Sequence, residues 1–517
     1  MRLSALAADL PHRRAGASGD PEVLAVTHDS RAAVDGTLFA ALPGLKTDGR
    51  RFVGDAVSRG AVAALGLAPA PDATAVPYLE VENPRRSAGL VASLLAGRPS
   101  ERLVMAGVTG TSGKTTTTYL LDGLLALRHR ERGFFGTIVY RGGGAAAIPA
   151  PHTTPEATEL QPMLAALVAD GGTAAILECS SHALVLERLA GCSFDVAIFL
   201  NLSRDHLDFH SDMDDYFEAK ARLFSMLKPG GKAVVNLGDE YGRRLARSLD
   251  AGRTVGFFLE GEEGVEQTRP AALAGAIAAA AAEDGLFATV VGRAMLHLAG
   301  TTLEIEVPTP FTINSPLLGR LNAENLLAAA AAGIALGLSP AEIAVGLESV
   351  TSVPGRLEVV PNARGFTVLV DYAHKPAALE GVLRTVRPIA AARGGRVIAV
   401  FGCGGDRDKG KRPEMGRIAA LLADEVVVTS DNPRSEEPEA ILRDVRAGVE
   451  AAGKTARYVV DRREALDEAF ALARAGDVVL VAGKGHETSQ IVGGRKLPFD
   501  DRLVAKELLA KRETAAR

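Results

Sequence analysis

The chain has 517 residues, 47% apolar and 23% charged, and its 58 lysines and arginines against 63 acids leave a formal charge of −5. That length exceeds one ordinary hydrophobic core and suits two to four domains, while the near-balanced charge argues against a polyanion-binding surface, so nucleic acid is not an expected partner. Three cysteines without metal-ligand spacing, Cys179, Cys192 and Cys403, argue against a disulfide framework and fit a reducing compartment.

The opening "MRLSALAADLPHRR" reaches proline and basic residues before a signal-like apolar core forms, so a cytoplasmic protein is expected. Residues 1–98 read as a smaller first unit that closes near "AGRPSERL". From 99 to 352, β-branched runs such as "LVMAGVTG", "AAILECSS", "DVAIFLN" and "KAVVNLG" alternate with alanine-rich helical stretches. Short apolar runs that end in polar or Gly-rich loops are the pattern of buried parallel strands. "GTTLEIEVPTPFTINSP" suggests an antiparallel edge to that sheet. The longest apolar runs, at 271–282 and around 325–338, fall short of the roughly 20 residues that cross a bilayer, so no membrane association is expected. After "SVPGR" a second α/β set, 353–517, carries "TVLVDYAH", "RVIAVFGCGG", "EVVVTSDN" and "DVVLVAGKG". The fold class is α/β, and ligands of such sheets collect at the carboxyl ends of the strands, where nearly every unusual polar motif of this chain falls.

"VMAGVTGTSGKTTTTYLL" reads as strand, Gly-rich loop and helix. Backbone N–H groups of Gly110, Thr111, Ser112 and Gly113, backed by the helix N-terminus, can surround phosphate oxygens. Lys114 would reach the terminal phosphates of a nucleotide, the Thr115 hydroxyl would lie where Mg²⁺ binds, and Thr116 would complete the nucleotide-binding loop. Val108 stands where the longer P-loop pattern has its first glycine, so the loop is a short version. Farther on, Glu178, His182 and His206 each fall at a strand end; taken singly the histidines would be structural, but facing a phosphate loop they become candidate ligands, and hard oxygen donors suit Mg²⁺.

"GTSGKTTT", "SSHAL", "SRDHLDFH", "YFEAKARLF", "GRLNAENLLAA", "VPGRLE", "DYAHKP", "GCGGDRDKGKRPEMG", "SDNPR" and "AGKGHE" occur in the order found in the Mur ligase family, which this chain resembles over nearly its whole length. One departure is Ser112, where asparagine is common; either side chain hydrogen-bonds. The resemblance implies three domains: one for the UDP end of the substrate, a central P-loop ATPase-type parallel sheet, and a mobile Rossmann-like domain for the incoming amino acid. It assigns Lys114 and Thr115 to the phosphate grip, Glu178 and His206 to Mg²⁺, and Lys220 to a carbamylated lysine, an anionic oxygen donor that can support a second ion. Catalytic roles are thereby expected for Lys114, Lys220 and His206. Ser30 and Thr47 match the uridine-diphosphate pocket; Thr153, Thr154, Ser180 and Arg188, with Lys220, match the grip on the UDP-N-acetylmuramoyl-dipeptide. Asn322 and Asn325 match the adenine side, and Arg356, Asp371 and His374 the face presented to ATP on closure.

The stretch "TSDNPRSEEP" sets an arginine among acids at an Asn-Pro turn. As an isolated cluster it would be a solvated loop. In the family this loop meets the incoming amino acid, and a diaminopimelate has a carboxylate and an ammonium at its far end. Arg434 can pair that carboxylate, Asp431 and Glu487 suit ammonium groups, and Arg407, Asn432 and the Gly483 backbone would join them. Lysine would leave the arginine unpaired. The expected activity is therefore ATP-dependent addition of meso-diaminopimelate through an acyl phosphate, by a monomer. The lysine-adding homologue, folylpolyglutamate synthase and a non-catalytic nucleotide-binding scaffold are the rivals.

Overall fold

The computed structural model describes residues 1–8, 10–44, 47–72, 74–142, 146–260, 288–297 and 300–515. The apolar run at 271–282 lies outside them.

Among the described residues there are four sheets, three large ones that organise the chain and a two-stranded ribbon of Ser489–Val492 and Arg495–Pro498. The first has five strands, ordered His12–Gly16, Pro77–Val81, Ala61–Gly66, Thr37–Ala41 and Ala25–Thr27, parallel except for the first pair. The central sheet has eleven strands. Its middle is parallel and runs from Ala288–His297 through Thr254–Leu259, Leu227–Asn236, Phe194–Phe199, Val104–Thr109 and Ala174–Glu178 to Arg132–Phe135. Antiparallel strands flank both sides, and the stretch expected as an edge supplies Gly300–Val307 and Phe311–Ser315. The third sheet has six strands, with Thr367–Asp371, Val478–Ala482, Val397–Phe401, Glu425–Val428 and Arg457–Tyr458 parallel and Glu358–Val360 antiparallel at one edge.

Register places the chemistry. Glu178 pairs with Val108, and Phe199 with Thr109, so the strands flanking Val104–Thr109 end level with the loop that follows it. The helix Lys114–Leu125 starts there, and its Leu120, Leu121, Leu124 and Leu125 enter the central core. Against it packs the helix Arg320–Ala335, whose Ala328 through Ala332 are all fully buried. Small side chains let two helix backbones approach closely, which explains the apolar run near 325–338 as a core helix. Among the described residues no helix is long and apolar enough to cross a membrane.

Candidate active site

The phosphate loop is held from behind by Asn201, which takes the Ser112 N–H on Oδ1 (2.9 Å), donates to the Ser112 carbonyl (3.2 Å) and accepts the Thr111 N–H on its backbone carbonyl (3.0 Å). Gly113 has φ +88°, and a Cβ there would collide with Asn325 Oδ1, so only glycine closes this turn. Lys114 Nζ folds over the loop and donates to the carbonyls of Gly110 (2.7 Å) and Thr111 (3.1 Å). Lys220 Nζ donates to the same Gly110 carbonyl at 2.9 Å and lies 4.4 Å from the Tyr216 ring centre. Burial pushes Lys114 down to about 8 and Lys220 well below the ordinary lysine range, the latter helped by the neighbouring Lys114 charge.

Beside the loop the fully buried Glu178 carboxylate receives the Thr137 N–H (2.9 Å), the Thr137 hydroxyl (2.9 Å) and the Thr115 hydroxyl (3.1 Å). The Thr153 hydroxyl lies 3.2 Å from that of Thr137, so a line of oxygens joins Thr115 to Thr153. Next to it Thr154 donates to the Glu178 carbonyl (2.7 Å), Ser180 caps the helix Ser181–Val185, and Arg188 donates to the Thr154 carbonyl (3.1 Å) while pairing with Glu156 (3.0 Å). Ser30 and Thr47 lie apart from this cluster in the first domain: Ser30 buried in the turn Ser30–Ala32, Thr47 exposed.

His206 has φ +53°, and Asp205 holds it by taking its N–H on Oδ1 (2.8 Å) and approaching its Nε2 with Oδ2 (3.3 Å). Burial drives this imidazole down to about 4, so it is neutral with a free lone pair. His182 stands edge-on to it at 4.8 Å and stacks on Phe209 at 4.1 Å, a packing contact. Among the described residues no three His, Cys, Asp or Glu side chains gather into a ready metal cluster. The structure brings Thr115 to Glu178, and Lys220 to the loop, while His206 is held by Asp205. A hydroxyl and a carboxylate beside a phosphate loop nonetheless fit Mg²⁺, which keeps most of its waters.

On the helix Arg320–Ala335, Asn322 donates to the Leu318 carbonyl (2.9 Å) and Asn325 bridges Asn322 (3.4 Å) and the Thr117 hydroxyl (3.3 Å), while Thr116 is buried alongside. The C-terminal domain closes over the loop. Arg356 Nη2 donates to Thr115 Oγ1 (3.3 Å) with its guanidinium 4.9 Å from the Tyr372 ring. Asp371 accepts the N–H groups of Leu357 and Ala373, both at 2.8 Å, and burial raises its pKa. His374 is bound through Nδ1 to the Tyr372 carbonyl at 2.7 Å, and burial pushes it down to about 3.

At the Asn-Pro turn Arg434 has φ +56° and donates to the Gly405 carbonyl at 2.6 Å; among the described residues its guanidinium forms no ion pair. Arg407 is exposed, reaching only its neighbour's carbonyl at 3.5 Å, and a Cβ on Gly404 would come within 4 Å of both arginines. Asn432 donates to Glu487 (2.9 Å) and accepts from the Ile491 N–H (3.0 Å) and Lys484 (3.3 Å). Gly483 has φ +116° and leaves its Cα face against Asp431 Oδ2. The sequence reading missed Lys484, a fully buried cation 2.8 Å from Glu487 and 4.0 Å from Asp431. It also missed Asn201, Asp205 and Thr137. Of the turn's acids, Glu436 is taken by Arg412 (2.9 Å) and Lys409 (3.3 Å), so it belongs to the scaffold.

Comparison with known proteins decides the family. Residues 22–95, 108–333 and 355–485 match, in turn, the Mur ligase family catalytic domain, the Mur ligase middle domain and the Mur ligase glutamate ligase domain. The UDP-N-acetylmuramoyl-L-alanyl-D-glutamate--2,6-diaminopimelate ligase of Geobacter metallireducens is 44% identical over 97% of each chain. The chain belongs to the Mur ligase family. A solved structure of a ligase of that same name is 32% identical over 95% of each chain, with a TM-score of 0.63. The Mur ligase fold also extends to the Thermotoga maritima MurF ligase in complex with ADP, at 19% identity, 95% and 98% coverage and a TM-score of 0.58.

Proposed function

We propose that this Mur ligase joins meso-diaminopimelate to UDP-N-acetylmuramoyl-L-alanyl-D-glutamate at the expense of ATP, as a cytoplasmic monomer in peptidoglycan precursor synthesis. The observation that carries the specificity is Arg434, whose guanidinium forms no ion pair among the described residues and which shares its turn with Asp431 and with Asn432, itself bound to Glu487. A distal carboxylate supplies the missing partner in bidentate geometry, and the distal ammonium faces carboxylates. Relatives of 41–44% identity bear the name 2,6-diaminopimelate ligase, which agrees with this pocket.

A carboxylate does not condense with an amine at neutral pH, because oxide would have to leave. ATP transfers its γ-phosphoryl group to the dipeptide carboxylate, the amine attacks the acyl phosphate, and phosphate departs. Two anions meet in the first step. Lys114 and the loop N–H groups hold the triphosphate, and Arg356 approaches from the C-terminal domain. Thr115, Glu178 and His206 would hold Mg²⁺, which supplies Lewis-acid charge to the phosphates when bound. Thr153, Thr154, Ser180 and Arg188 grip the dipeptide, Ser30 and Thr47 its uridine end, and closure excludes water. Lys220, sealed beside Lys114 without an acid partner among the described residues, suits addition of CO₂ to its neutral nitrogen with loss of a proton. The resulting anion would balance Lys114. Domain limits at residues 98 and 352 belong to the same proposal.

ATP hydrolysis that requires both the UDP-dipeptide and the amino acid separates this reading from a silent scaffold. Arg434→Ala should collapse a preference for diaminopimelate over lysine of roughly 10⁴. Full discrimination in that variant would refute the clamp.

A further inference from the structure

Lys375 is the wrong residue for its local position. It is the N-cap of the helix Pro376–Ala391, has extended backbone angles, and makes no capping hydrogen bond. Serine, threonine, asparagine and aspartate are the residues that satisfy a helix N-terminus, and a cation there opposes the helix dipole. Such a local misfit points to a gain elsewhere.

That gain lies across the domain interface. Lys375 Nζ donates to Asp205 Oδ2, a partner 170 residues away in the central domain. The Asp205 side chain is only 12% exposed and that of Lys375 35%, so the contact is partly shielded from solvent. The same Asp205 holds His206 through its N–H and ring, and His206 is held in a left-handed conformation that few non-glycine residues adopt. His206 adjoins Tyr216, whose hydroxyl lies 3.2 Å from Thr111 of the phosphate loop. A second cross-domain contact, Arg356 to Thr115, lies on the same face.

We infer that Lys375 is a positioning residue: its ion pair with Asp205 seats the C-terminal domain on the central domain and fixes the His206 loop beside the phosphate site when the enzyme closes. The inference rests on the ligase reading above for its kinetic consequences, but not for its structural ones.

The test is a mutant cycle read by two measurements. Fluorophores on Arg247→Cys and Glu450→Cys, exposed positions of the central and C-terminal domains, report closure by energy transfer with a non-hydrolysable ATP analogue. Steady-state kinetics use ATP, UDP-dipeptide and diaminopimelate. Lys375→Ser should lower nucleotide-induced transfer and cut kcat about tenfold, with the UDP-dipeptide KM within about twofold of the parent. Lys375→Arg should restore closure and turnover. The double variant Lys375→Ser/Asp205→Asn should be no worse than Asp205→Asn alone, since the pair is already broken. Multiplied losses in the double variant, or parent-like closure in Lys375→Ser, would overturn the inference. A parent that fails to consume ATP with these substrates refutes the ligase reading instead, and the energy-transfer arm still decides the role of Lys375.

Discussion

Lys220 in the central domain and Lys484 in the C-terminal domain are both buried, at 1% and 0% exposure, yet their surroundings are opposite. Lys220 meets a carbonyl and an aromatic face beside a second lysine. Lys484 meets Glu487, Asp431 and Asn432. Around Lys484 two carboxylates outnumber one ammonium, while Arg434 of the same proposed pocket has no ion pair among the described residues, so the pocket offers groups of both signs to an incoming zwitterion. At the phosphate loop the surplus is positive and calls for anions. The phosphate loop thus calls for anions alone, whereas the proposed amino-acid pocket presents both signs.

The largest expected effect tests the compensated lysine. Lys484→Met leaves the buried Asp431 and the partly exposed Glu487 without this ammonium, and removal of one partner from a buried pair costs about 3–5 kcal/mol. Urea unfolding should register that loss as a lower midpoint. Lys220→Met should do the reverse for stability, because among the described residues the buried Lys220 amine has no acid partner to lose. Its unfolding midpoint should match or exceed the parent's, while turnover falls on the order of 10²–10³-fold. Carbon-13 spectra in labelled bicarbonate should show a carbamate signal in the parent that this variant lacks. Equal destabilisation by the two substitutions would break the contrast.

How far the sequence anticipates this division follows from distance along the chain. The phosphate loop is contiguous, and Gly110 to Thr116 announce it because strand, turn and helix are local events. Strands of the central and C-terminal sheets were visible as β-branched runs, those of the first sheet were not singled out, and the antiparallel flank at 300–315 was expected as an edge. Lys484 was hidden because its partners Asp431 and Asn432 lie about fifty residues earlier, and "AGKGHE" alone reads as a loop. Asp205 and Lys375 were overlooked for the same reason. Glu436 and Asp431 look equivalent in "SDNPRSEEP", and only folding shows that Arg412 removes the first from the pocket. Sequence spacing carries local geometry well and the sharing of charge between distant segments poorly.

A smaller effect sharpens the rule that a buried base without a close acid stays neutral. His486 lies 4.7 Å from the Tyr372 ring, its Nδ1 is buried without a hydrogen-bond partner, and burial with the Arg356 charge pushes it down to about 4. The unfolded chain binds this proton below about pH 6.5 and the folded chain only below about 4. Stability is therefore complete above pH 6.5 and falls as the pH drops toward 4, by about 3 kcal/mol from this group. His486→Phe keeps the ring contact and removes the titration, so its unfolding free energy should decline less steeply across that window.

The smallest effect concerns Thr137, which belongs to neither lysine but sets the acid between the two substrate grips. Its hydroxyl is one of three donors to Glu178 and also touches Thr153 on the dipeptide side. Thr137→Val preserves shape and the backbone donor while removing one hydrogen bond to a buried charge. Net losses for such bonds are about 1.5–3 kcal/mol, and here the lower end applies because Thr115 and the Thr137 N–H remain. Thr137→Ser should restore the parent value in thermal unfolding. If the oxygen line also aligns Thr115 with the proposed dipeptide grip, Thr137→Val should raise the KM for ATP and for UDP-dipeptide together and leave that for diaminopimelate unchanged, since the proposed amino-acid pocket lies around Lys484. A shift confined to diaminopimelate would mean that the two halves of the site are coupled by some route other than this one.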